Sequence, residues 1–525
     1  MPSGAGGRRR REEGHFRASS GPGPAMPSPA GRGGGHRAGE RRADEGAEPL
    51  GAEPLGAELL GAELLNAELL DLDVGPVAHG GSCVARSGGR VVFVRHALPG
   101  ERVRARVTDR SHDRYWRADA VEILEPSPDR VPAPCPHAGP VRLVAAGGAT
   151  EEHDLVSGGQ GGCGGCGGCD WQHASPAAGR RLKAQVVVEA LRRQGGLAAH
   201  VADGDEKDAA GLAVAVEPLP ALGGEAGEGL GWRSRMRFAV TADGEVGLRM
   251  HRSHQVVATP DCRIAHPLVV GAVAGRRFPG AEAVEVAASV SSGRVAVRPT
   301  GGRAASAGAA DDAGGDGAGA EDDGGGLVER VRGREFRVDA SAFWQVHPAA
   351  ACTLVTAVLA ALEPRPGERA LDLYAGAGLF AAFLAEAVGP DGEVIAMESD
   401  AAAVASAAHS LADLPWVSVR PVRVTAATVR RCVGGAQSAN GAQGGGRVDV
   451  AVLDPPRTGA GTDVLTALLA LRPRAVAYVA CDPVALGRDL AAAAAAGYRV
   501  DGVRAFDLFP MTAHIECVAR LVPAP

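Results

Sequence analysis

Short apolar runs alternate with longer segments of helical composition through the C-terminal part of the chain, and this alternation constrains the fold more than any other feature. The run Ala475–Ala480 has the length and residue types of a buried parallel strand, and Cys481 follows it directly. Two similar runs end at Glu398 and Asp454. Because open α/β sheets carry out their chemistry at the carboxyl ends of their strands, we expect these side chains to lie near one another. The pattern predicts a Rossmann-like α/β catalytic domain over residues 327–525.

A glycine-rich turn lies within residues 369–380, which predict a strand, the turn and the start of a helix. Gly376 in this turn lets a ligand approach the backbone, and Glu398 stands where an acid can hydrogen-bond ribose hydroxyls. A glycine pair alone also fits an NAD site. The strand-end Asp372 and the missing third glycine favour S-adenosylmethionine, whose cationic sulfonium is compatible with an acid where a pyrophosphate is not.

The sequence Asp-Pro-Pro-Arg at residues 454–457 follows another strand-like run. Its prolines are rigid and hold the loop beside the cofactor, and Asp454 can accept a hydrogen bond from the cofactor or from a target base. Enzymes that methylate exocyclic nitrogens usually carry Asn-Pro-Pro-aromatic, so this departure favours carbon methylation. A Cys481 thiolate can add to an electron-poor carbon such as C6 of a pyrimidine, which makes C5 a nucleophile. A buried core thiol is the alternative for this cysteine.

Three stretches of biased composition surround the folded part of the chain. The formal net charge is −7, but residues 1–46, 47–73 and 301–326 carry +4, −7 and −5, which leaves about +1 on the remainder. Residues 1–72 combine a Gly-, Pro-, Ser- and Arg-rich tail with a five-residue repeat, and we predict that they are disordered. Residues 301–326 form a disordered acidic spacer.

Residues 73–130 contain short β-type runs broken by glycine, which predict a small OB-like β-barrel. The segment looks like a TRAM domain, the RNA-binding barrel attached to several tRNA- and rRNA-modifying enzymes. In that role its arginines would contact phosphates, whereas in a plain barrel they would only be solvated. The candidates are Arg86, Arg90, Arg95, Arg104, Arg106 and Arg117.

Residues 131–300 predict an α+β central domain with a cysteine cluster. The ten cysteines of the chain are clustered rather than spread as a disulfide framework, which favours metal binding. Four thiolates, from Cys135, Cys166, Cys169 and Cys262, would hold a [4Fe–4S] cluster, with zinc as the competing metal. Cys163 is an additional candidate ligand. We favour a structural role for this metal site over redox catalysis.

Arginines alternate along a strand-like run at Arg233, Arg235 and Arg237. Alternation with a period of two places them on one face, where they would either contact single-stranded RNA or be solvated. No stretch of eighteen apolar residues and no signal-peptide pattern occurs, so we expect a cytoplasmic protein that does not engage a membrane. We also expect a monomer.

Six motifs in order resemble the RNA uracil-5-methyltransferases, which make 5-methyluridine in tRNA or rRNA. The resemblance covers roughly residues 73–525 apart from the spacer, and the ordered set is far more specific than any one motif. The motifs are Asp170-Trp-Gln-His173 with the cysteines, Phe343-Trp-Gln345-Val, Asp372-Leu-Tyr-Ala-Gly-Ala-Gly378, Asp454-Pro-Pro-Arg457, Cys481-Asp-Pro483 and Phe509-Pro-Met-Thr-Ala-His-Ile-Glu516.

The resemblance implies a role for each matched residue. Cys481 would be the nucleophile that forms a covalent adduct with C6 of a uridine, and Glu516 would be the base that removes the C5 proton. The implied cofactor is S-adenosylmethionine, and the implied contacts are Gln345, Tyr374, Gly376, Glu398 and Asp454. Asp482 stands where family members often have Asn, a difference expected to matter little. The TRAM barrel and the iron–sulfur site favour 23S rRNA over tRNA as the substrate.

Two alternatives differ from this interpretation. In the first, the same domain methylates another RNA base or atom. In the second, the chain is a metal-containing RNA-binding protein without catalysis. The cofactor loop, Cys481 and Glu516 argue against the second, because a protein that only binds RNA needs none of them.

Overall fold

The structure is a computed structural model that describes residues 68–139, 142–143, 165–195, 214–220, 227–302, 326–432 and 447–525. The predicted disordered tail up to residue 67, the extra cysteine Cys163 and residues 303–325 of the acidic spacer lie outside the described residues. Within the described ranges, no helix has both the length and the apolar character needed to cross a membrane.

The first sheet is a curled sheet with strand order β1-β4-β5-β3-β2, and β6 pairs with β5. It begins at Leu69, so the prediction that disorder extends to residue 72 is wrong at its boundary. The cause is tertiary, because Leu72 is buried in the core of this sheet and Asp71 forms an ion pair with Arg104. The strands are β1 (Leu69–Asp73), β2 (Cys83–Ser87), β3 (Arg90–Arg95), β4 (Arg102–Asp109), β5 (Tyr115–Glu125) and β6 (Arg142–Leu143).

The central part of the chain builds a second, antiparallel sheet of order β10-β9-β8-β11-β12. A short helix packs on it through two buried valines, Val269 and Val273. The elements are α1 (Pro176–Gly195), β7 (Val216–Pro218), β8 (Arg235–Val240), β9 (Val246–Arg249), β10 (Val256–Ala258), α2 (Pro267–Val273), β11 (Ala283–Ala288) and β12 (Val295–Thr300).

The C-terminal part forms a hairpin, β13 (Leu327–Val331) with β14 (Arg334–Val338), and then the large sheet. Strands and helices alternate there, which confirms the predicted Rossmann-like architecture. The elements are α3 (Ala350–Leu362), β15 (Arg369–Leu373), α4 (Leu379–Val388), β16 (Glu393–Glu398), α5 (Ala401–Ser410), β17 (Val417–Pro421), α6 (Ala426–Cys432), β18 (Val450–Leu453), α7 (Thr462–Leu469), β19 (Ala475–Ala480), α8 (Pro483–Ala495), β20 (Tyr498–Asp507) and β21 (Glu516–Pro523).

The large sheet has the order β17-β16-β15-β18-β19-β21-β20-β7. Strand β21 is antiparallel to both of its neighbours, while the other pairs are parallel. Both faces of β19 are covered by helices: Val479 packs in a core with α3, α4 and α5, and Tyr478 packs in a core with α1, α6, α7 and α8. A sheet buried on both faces needs continuous apolar strands, and this is the pattern that the sequence shows.

Candidate active site

Cys481 and Glu516 face each other across two neighbouring strands. Strand β19 pairs antiparallel with β21, and the ladder ends with Ala480 opposite Cys517. One step further along the same register brings Cys481 opposite Glu516. Directly opposed residues in an antiparallel pair have their Cβ atoms about 4.5–5.5 Å apart, so the two side chains are neighbours. Cys481 is half-buried and Glu516 is buried.

The electrostatics of this pair favour the protonated forms. Burial, followed by the carboxyls of Glu516 and Asp454, raises the pKa of the Cys481 thiol to about 12, against the opposing effect of Arg457. Burial and the Asp454 carboxyl also raise the pKa of Glu516 well above its usual range. Oε1 of Glu516 is buried and has no hydrogen-bond partner within the part of the chain that the structure describes. A carboxylate with a raised pKa is a stronger base once it has lost its proton, as proton abstraction from carbon requires.

Further carboxyls with raised pKa values lie along the same sheet edge. Burial raises the pKa of Asp454 to about 7. Burial, with contributions from the Asp454 and Glu398 carboxyls, raises the pKa of Asp372 to about 8. Asp372 is fully buried, and its Oδ2 accepts a 2.8 Å hydrogen bond from the Ala381 amide at the start of α4. A nearby cation reduces the electrostatic repulsion among clustered carboxylates, so this edge of the sheet is suited to a positively charged ligand.

A cavity of ≈ 450 Å³ opens beside these carboxyls and contains two of the predicted cofactor contacts, Tyr374 and Glu398. Glu398 stabilises the glycine turn, because its Oε2 accepts a 3.0 Å hydrogen bond from the Gly376 amide. Its Oε1 accepts hydrogen bonds from the amides of Ser399 and Asp400. The remaining lining residues are Ser399, Arg423, Val424, Pro456, Thr458, Gly459, Ala460 and Val464.

The glycine turn itself depends on close packing. Gly378 has φ of +86°, and a Cβ at this position would lie 2.8 Å from Cδ1 of Leu411. A side chain here would be strained by this backbone conformation and would also have to displace the side chain of Leu411. Tyr374 also adopts a left-handed backbone conformation, with φ of 64°. A strained non-glycine residue at a strand end is typical of ligand-binding sites.

Gln345, the other predicted cofactor contact, is placed differently. Its side chain is buried and lines a small cavity of ≈ 170 Å³ that also includes Ser234, Glu329 and Trp344. This cavity does not include Tyr374 or Glu398. The structure thus brings together Tyr374 and Glu398 around one cavity, with Gly376 hydrogen-bonded to Glu398, and places Asp454, Cys481 and Glu516 at the adjoining edge. Gln345 lies in a different cavity.

Three residues that sequence reasoning missed, Tyr478, Asp489 and Arg488, hold the segment that follows Asp-Pro-Pro-Arg. The amide of Ala460 donates a 3.0 Å hydrogen bond to the Tyr478 hydroxyl, and the amide of Gly461 donates a 3.1 Å bond to Oδ2 of Asp489. Arg488 donates a 2.7 Å bond to the carbonyl of Thr458. The signal was a tyrosine within an aliphatic buried strand, since a buried hydroxyl needs a partner.

The four cysteine thiols of the predicted metal site are close enough to interact electrostatically. Cys135 and Cys262 are buried, and Cys166 and Cys169 are half-buried. Burial raises the pKa of the Cys169 thiol, and the other three thiols act in the same direction. Oε1 of Gln172 accepts a 3.1 Å hydrogen bond from the Cys135 amide. No group of three or more His, Cys, Asp or Glu residues within the described ranges is arranged to hold a metal ion. The donor chemistry therefore fits a thiolate-ligated cluster, while the geometry does not by itself define a metal centre.

Arg235 and Arg237 lie on one face of β8, as their alternation predicts, and both line a cavity on this sheet. Arg235 is half-buried and donates a 2.7 Å hydrogen bond to the carbonyl of Ala342, so it supports the segment before Gln345. Arg237 forms an ion pair with Glu285. RNA contact by these arginines stays a prediction. The contact with Ala342 could not be predicted, because alternation places side chains on a face but does not say which segment packs on that face.

Three of the six barrel arginines are paired with carboxylates in the structure. Arg95 makes a bidentate pair with Asp119 at 2.7 and 2.6 Å, Arg104 pairs with Asp71 and Glu122, and Arg117 lies 3.6 Å from Asp109. A cavity of ≈ 450 Å³ between this sheet and the cysteine segment is lined by Arg95, Arg106, Arg117, His251, Arg252, Cys166 and Cys169, among others. Phosphate binding by these arginines stays a prediction.

Known protein families match both the C-terminal α/β domain and the N-terminal barrel. The family model for tRNA (uracil-5-)-methyltransferase matches residues 327–522, and the TRAM domain model matches residues 66–121. An uncharacterized RNA methyltransferase from Streptomyces avermitilis is 46% identical over 471 residues, which cover 86% of this chain and 98% of that protein. The chain belongs to the RNA uracil-5-methyltransferases.

Other members of this family and a solved structure extend the likeness. The 23S rRNA (uracil(1939)-C(5))-methyltransferase RlmD from Methylococcus capsulatus is 29% identical over 485 residues, which cover 84% of this chain and 94% of that protein. The tRNA (uracil-54, C5)-methyltransferase from Pyrococcus abyssi, solved in complex with S-adenosyl-L-homocysteine, shares the fold with a TM-score of 0.55 at 19% identity, covering 86% of this chain and 99% of that one. As a member of the family, the chain is an S-adenosylmethionine-dependent RNA uracil-5-methyltransferase with a TRAM domain.

Proposed function

We propose that this RNA uracil-5-methyltransferase acts through a covalent bond between Cys481 and C6 of its target uridine, with Glu516 as the base. The register of β19 and β21, which brings these two side chains opposite each other, is the observation that carries the proposal. Addition at C6 requires a nucleophile such as a thiol, and proton removal at C5 requires a base. Glu516 suits the second role because its buried Oε1 has no hydrogen-bond partner among the described residues.

The steps follow from the chemistry of the two side chains. The sulfur of Cys481 bonds to C6, its proton passes to solvent or a neighbouring carboxylate, and the C5–C6 double bond opens to an enolate. The nucleophilic C5 then bonds to the methyl carbon that S-adenosylmethionine would supply when bound, and the bond between this carbon and the sulfonium sulfur breaks, which leaves S-adenosyl-L-homocysteine. Glu516 then accepts the C5 proton, the double bond re-forms, and the bond between sulfur and C6 breaks. A uridine within a structured RNA must leave its stack to reach both groups.

We assign cofactor binding to Tyr374, Gly376, Glu398 and Asp454. Tyr374 and Glu398 line one cavity, Gly376 is hydrogen-bonded to Glu398, and Asp454 and Glu398 both act on the carboxyl of Asp372. Gln345 is assigned on family resemblance. Isothermal titration with S-adenosylmethionine tests the set: Glu398→Gln should weaken binding, because it removes a charged acceptor that also holds Gly376. Unchanged affinity in this variant would contradict the assignment.

The favoured substrate is 23S rRNA, with tRNA as the alternative. The likeness to RlmD over most of both chains supports the first, and the family model named for tRNA keeps the second open. The test is mass spectrometry of nucleosides from rRNA and tRNA, mapped to position, in cells with and without this gene. Loss of 5-methyluridine at one rRNA position is the expected result, and its loss from tRNA instead would reassign the substrate.

We further propose that Cys135, Cys166, Cys169 and Cys262 hold a [4Fe–4S] cluster with a structural role, the mutual proximity of the four thiols being the support. Four thiolates in a buried site need compensating positive charge, which iron or zinc supplies. Iron, acid-labile sulfide and zinc measured on anaerobically purified protein decide between the two. Iron and sulfide near four per chain are expected, and one zinc per chain without sulfide would replace the cluster with a zinc site.

A further inference from the structure

A hydrogen bond joins the first sheet to the residue that follows the nucleophile. Nε2 of His79, in the loop between β1 and β2, lies 3.0 Å from Oδ2 of Asp482. The other oxygen, Oδ1, caps helix α8 by accepting from the amides of Val484 at 3.0 Å and Ala485 at 2.8 Å. Asp482 therefore uses one oxygen to start its own helix and the other to contact a residue more than four hundred positions away.

The same loop also touches the other catalytic strand. The carbonyl of Gly81 accepts a 2.9 Å hydrogen bond from the Trp171 indole, and a Cβ at Gly81 would lie 2.8 Å from Cβ of Ala513 and 3.3 Å from Cβ of Asp170. Ala513 lies three residues before Glu516, and its amide donates a 2.8 Å hydrogen bond to Oδ2 of Asp170. The loop is thus packed between the turn that follows Cys481 and the turn that precedes Glu516.

We propose that His79 is a positioning residue for catalysis: by holding Asp482 it sets the place of Cys481 relative to Glu516, so the N-terminal barrel forms part of the active site. The inference rests on the proposed function of these two residues. Cys481 lies one residue beyond the β19–β21 ladder, so strand pairing alone does not hold it. Its position depends on the turn at Asp482, and small errors in the placement of a reacting group can lower rates by about a hundredfold.

Two variants separate positioning from folding. His79→Ala removes the hydrogen bond to Asp482, and His79→Gln keeps a side-chain amide donor of similar reach. His254→Ala, at an exposed histidine of the central domain, is the matched control. The first measurement needs no RNA: the rate at which iodoacetamide alkylates Cys481, followed by peptide mass spectrometry.

In His79→Ala we expect Cys481 to be alkylated about threefold or more faster, because the turn that half-buries the thiol is released. On the RNA identified by mapping, kcat should fall about tenfold while KM for S-adenosylmethionine stays within about twofold. His79→Gln should have a Cys481 alkylation rate and a kcat close to those of the wild-type protein. Wild-type alkylation and kcat in His79→Ala, or equal defects in the Ala and Gln variants, would overturn the inference.

The alkylation assay also keeps the two proposals apart. If Cys481 were not the nucleophile, Cys481→Ala would remain active, and the proposed function would fail. The effect of His79 on the reactivity of the Cys481 thiol would still show whether the barrel loop positions this turn.

Discussion

The hydroxyl of Tyr478 donates a 2.6 Å hydrogen bond to Oδ2 of Asp489, inside the core next to the cavity lined by Tyr374 and Glu398. The same hydroxyl accepts from the amide of Ala460, a residue that lines this cavity. A buried strand residue thus connects a helix side chain to the wall of the binding site.

Tyr478→Phe should weaken S-adenosylmethionine binding about three- to tenfold, because it leaves the Ala460 amide and the buried Asp489 carboxylate each without one partner, at a cost of about 1–3 kcal/mol. Tyr498→Phe is the matched control, since its hydroxyl donates a 2.7 Å bond to the carbonyl of Pro473 at the opposite end of β19. Titration calorimetry compares the two. Equal affinities in both variants would mean that the loop does not depend on Tyr478.

Cys481→Ala should abolish turnover, because neither C5 nor C6 of uridine reacts without the addition of a nucleophile. S-adenosylmethionine affinity should stay near the wild-type value, since the thiol does not line the cavity of Tyr374 and Glu398. Methyl transfer from radiolabelled cofactor measures the first quantity and calorimetry the second. Cys352→Ala, at an exposed cysteine of α3, should leave both unchanged. Strong residual methylation in Cys481→Ala would refute the nucleophile assignment.

Glu516→Gln should trap the methylated RNA on the protein, because an amide cannot accept the C5 proton and elimination then stops. The adduct should survive a denaturing gel as a slower band. The double variant Cys481→Ala, Glu516→Gln should show no such band. Normal turnover in the single variant would assign the base elsewhere, with Asp454 the nearest candidate.

The buried carboxyl of Asp372 should make the free energy of unfolding depend on pH, and it should also favour binding of the cationic cofactor. Its pKa is raised to about 8 in the folded protein, against 3.8 as the ordinary value, mainly by burial. The contribution of Asp372 to the free energy of unfolding is fully present below about pH 4, where its carboxyl is protonated in both the folded and the unfolded states. This contribution is lost as the pH rises through about 8. Wild-type stability should therefore decline across this window through this group.

Asp372→Asn should reduce this decline, because the amide stays neutral while its oxygen can still accept from Ala381. Urea denaturation at pH 5 and pH 8 measures the difference. The same variant should bind S-adenosylmethionine more weakly at pH 8, where the wild-type carboxyl can ionise beside the cation. An identical pH dependence in both proteins would show that Asp372 is not the group responsible.

Sequence reasoning identified the α/β architecture because its signals are local. Each apolar run is long enough to read as a strand, and the residue at its end, such as Asp372 or Cys481, is identified by position alone. The TRAM segment was identified for the same reason, through regularly spaced short runs. The arginines on β8 show where this reasoning stops, since a period of two assigns a face but not the segment that contacts Arg235.

What the sequence by itself determined is the set of chemical groups and the strand ends that carry them: Cys481, Asp454, Glu398 and Glu516, together with the glycine turn. Only the tertiary structure decided which of these groups meet. The antiparallel insertion of β21 brings Glu516 opposite Cys481, the packing of the barrel loop brings His79 to Asp482, and Gln345 lies in a separate cavity. The physical reason is that periodicity arises from neighbours along the chain, whereas strand pairing and buried hydrogen bonds depend on distant segments whose packing free energies are decided together.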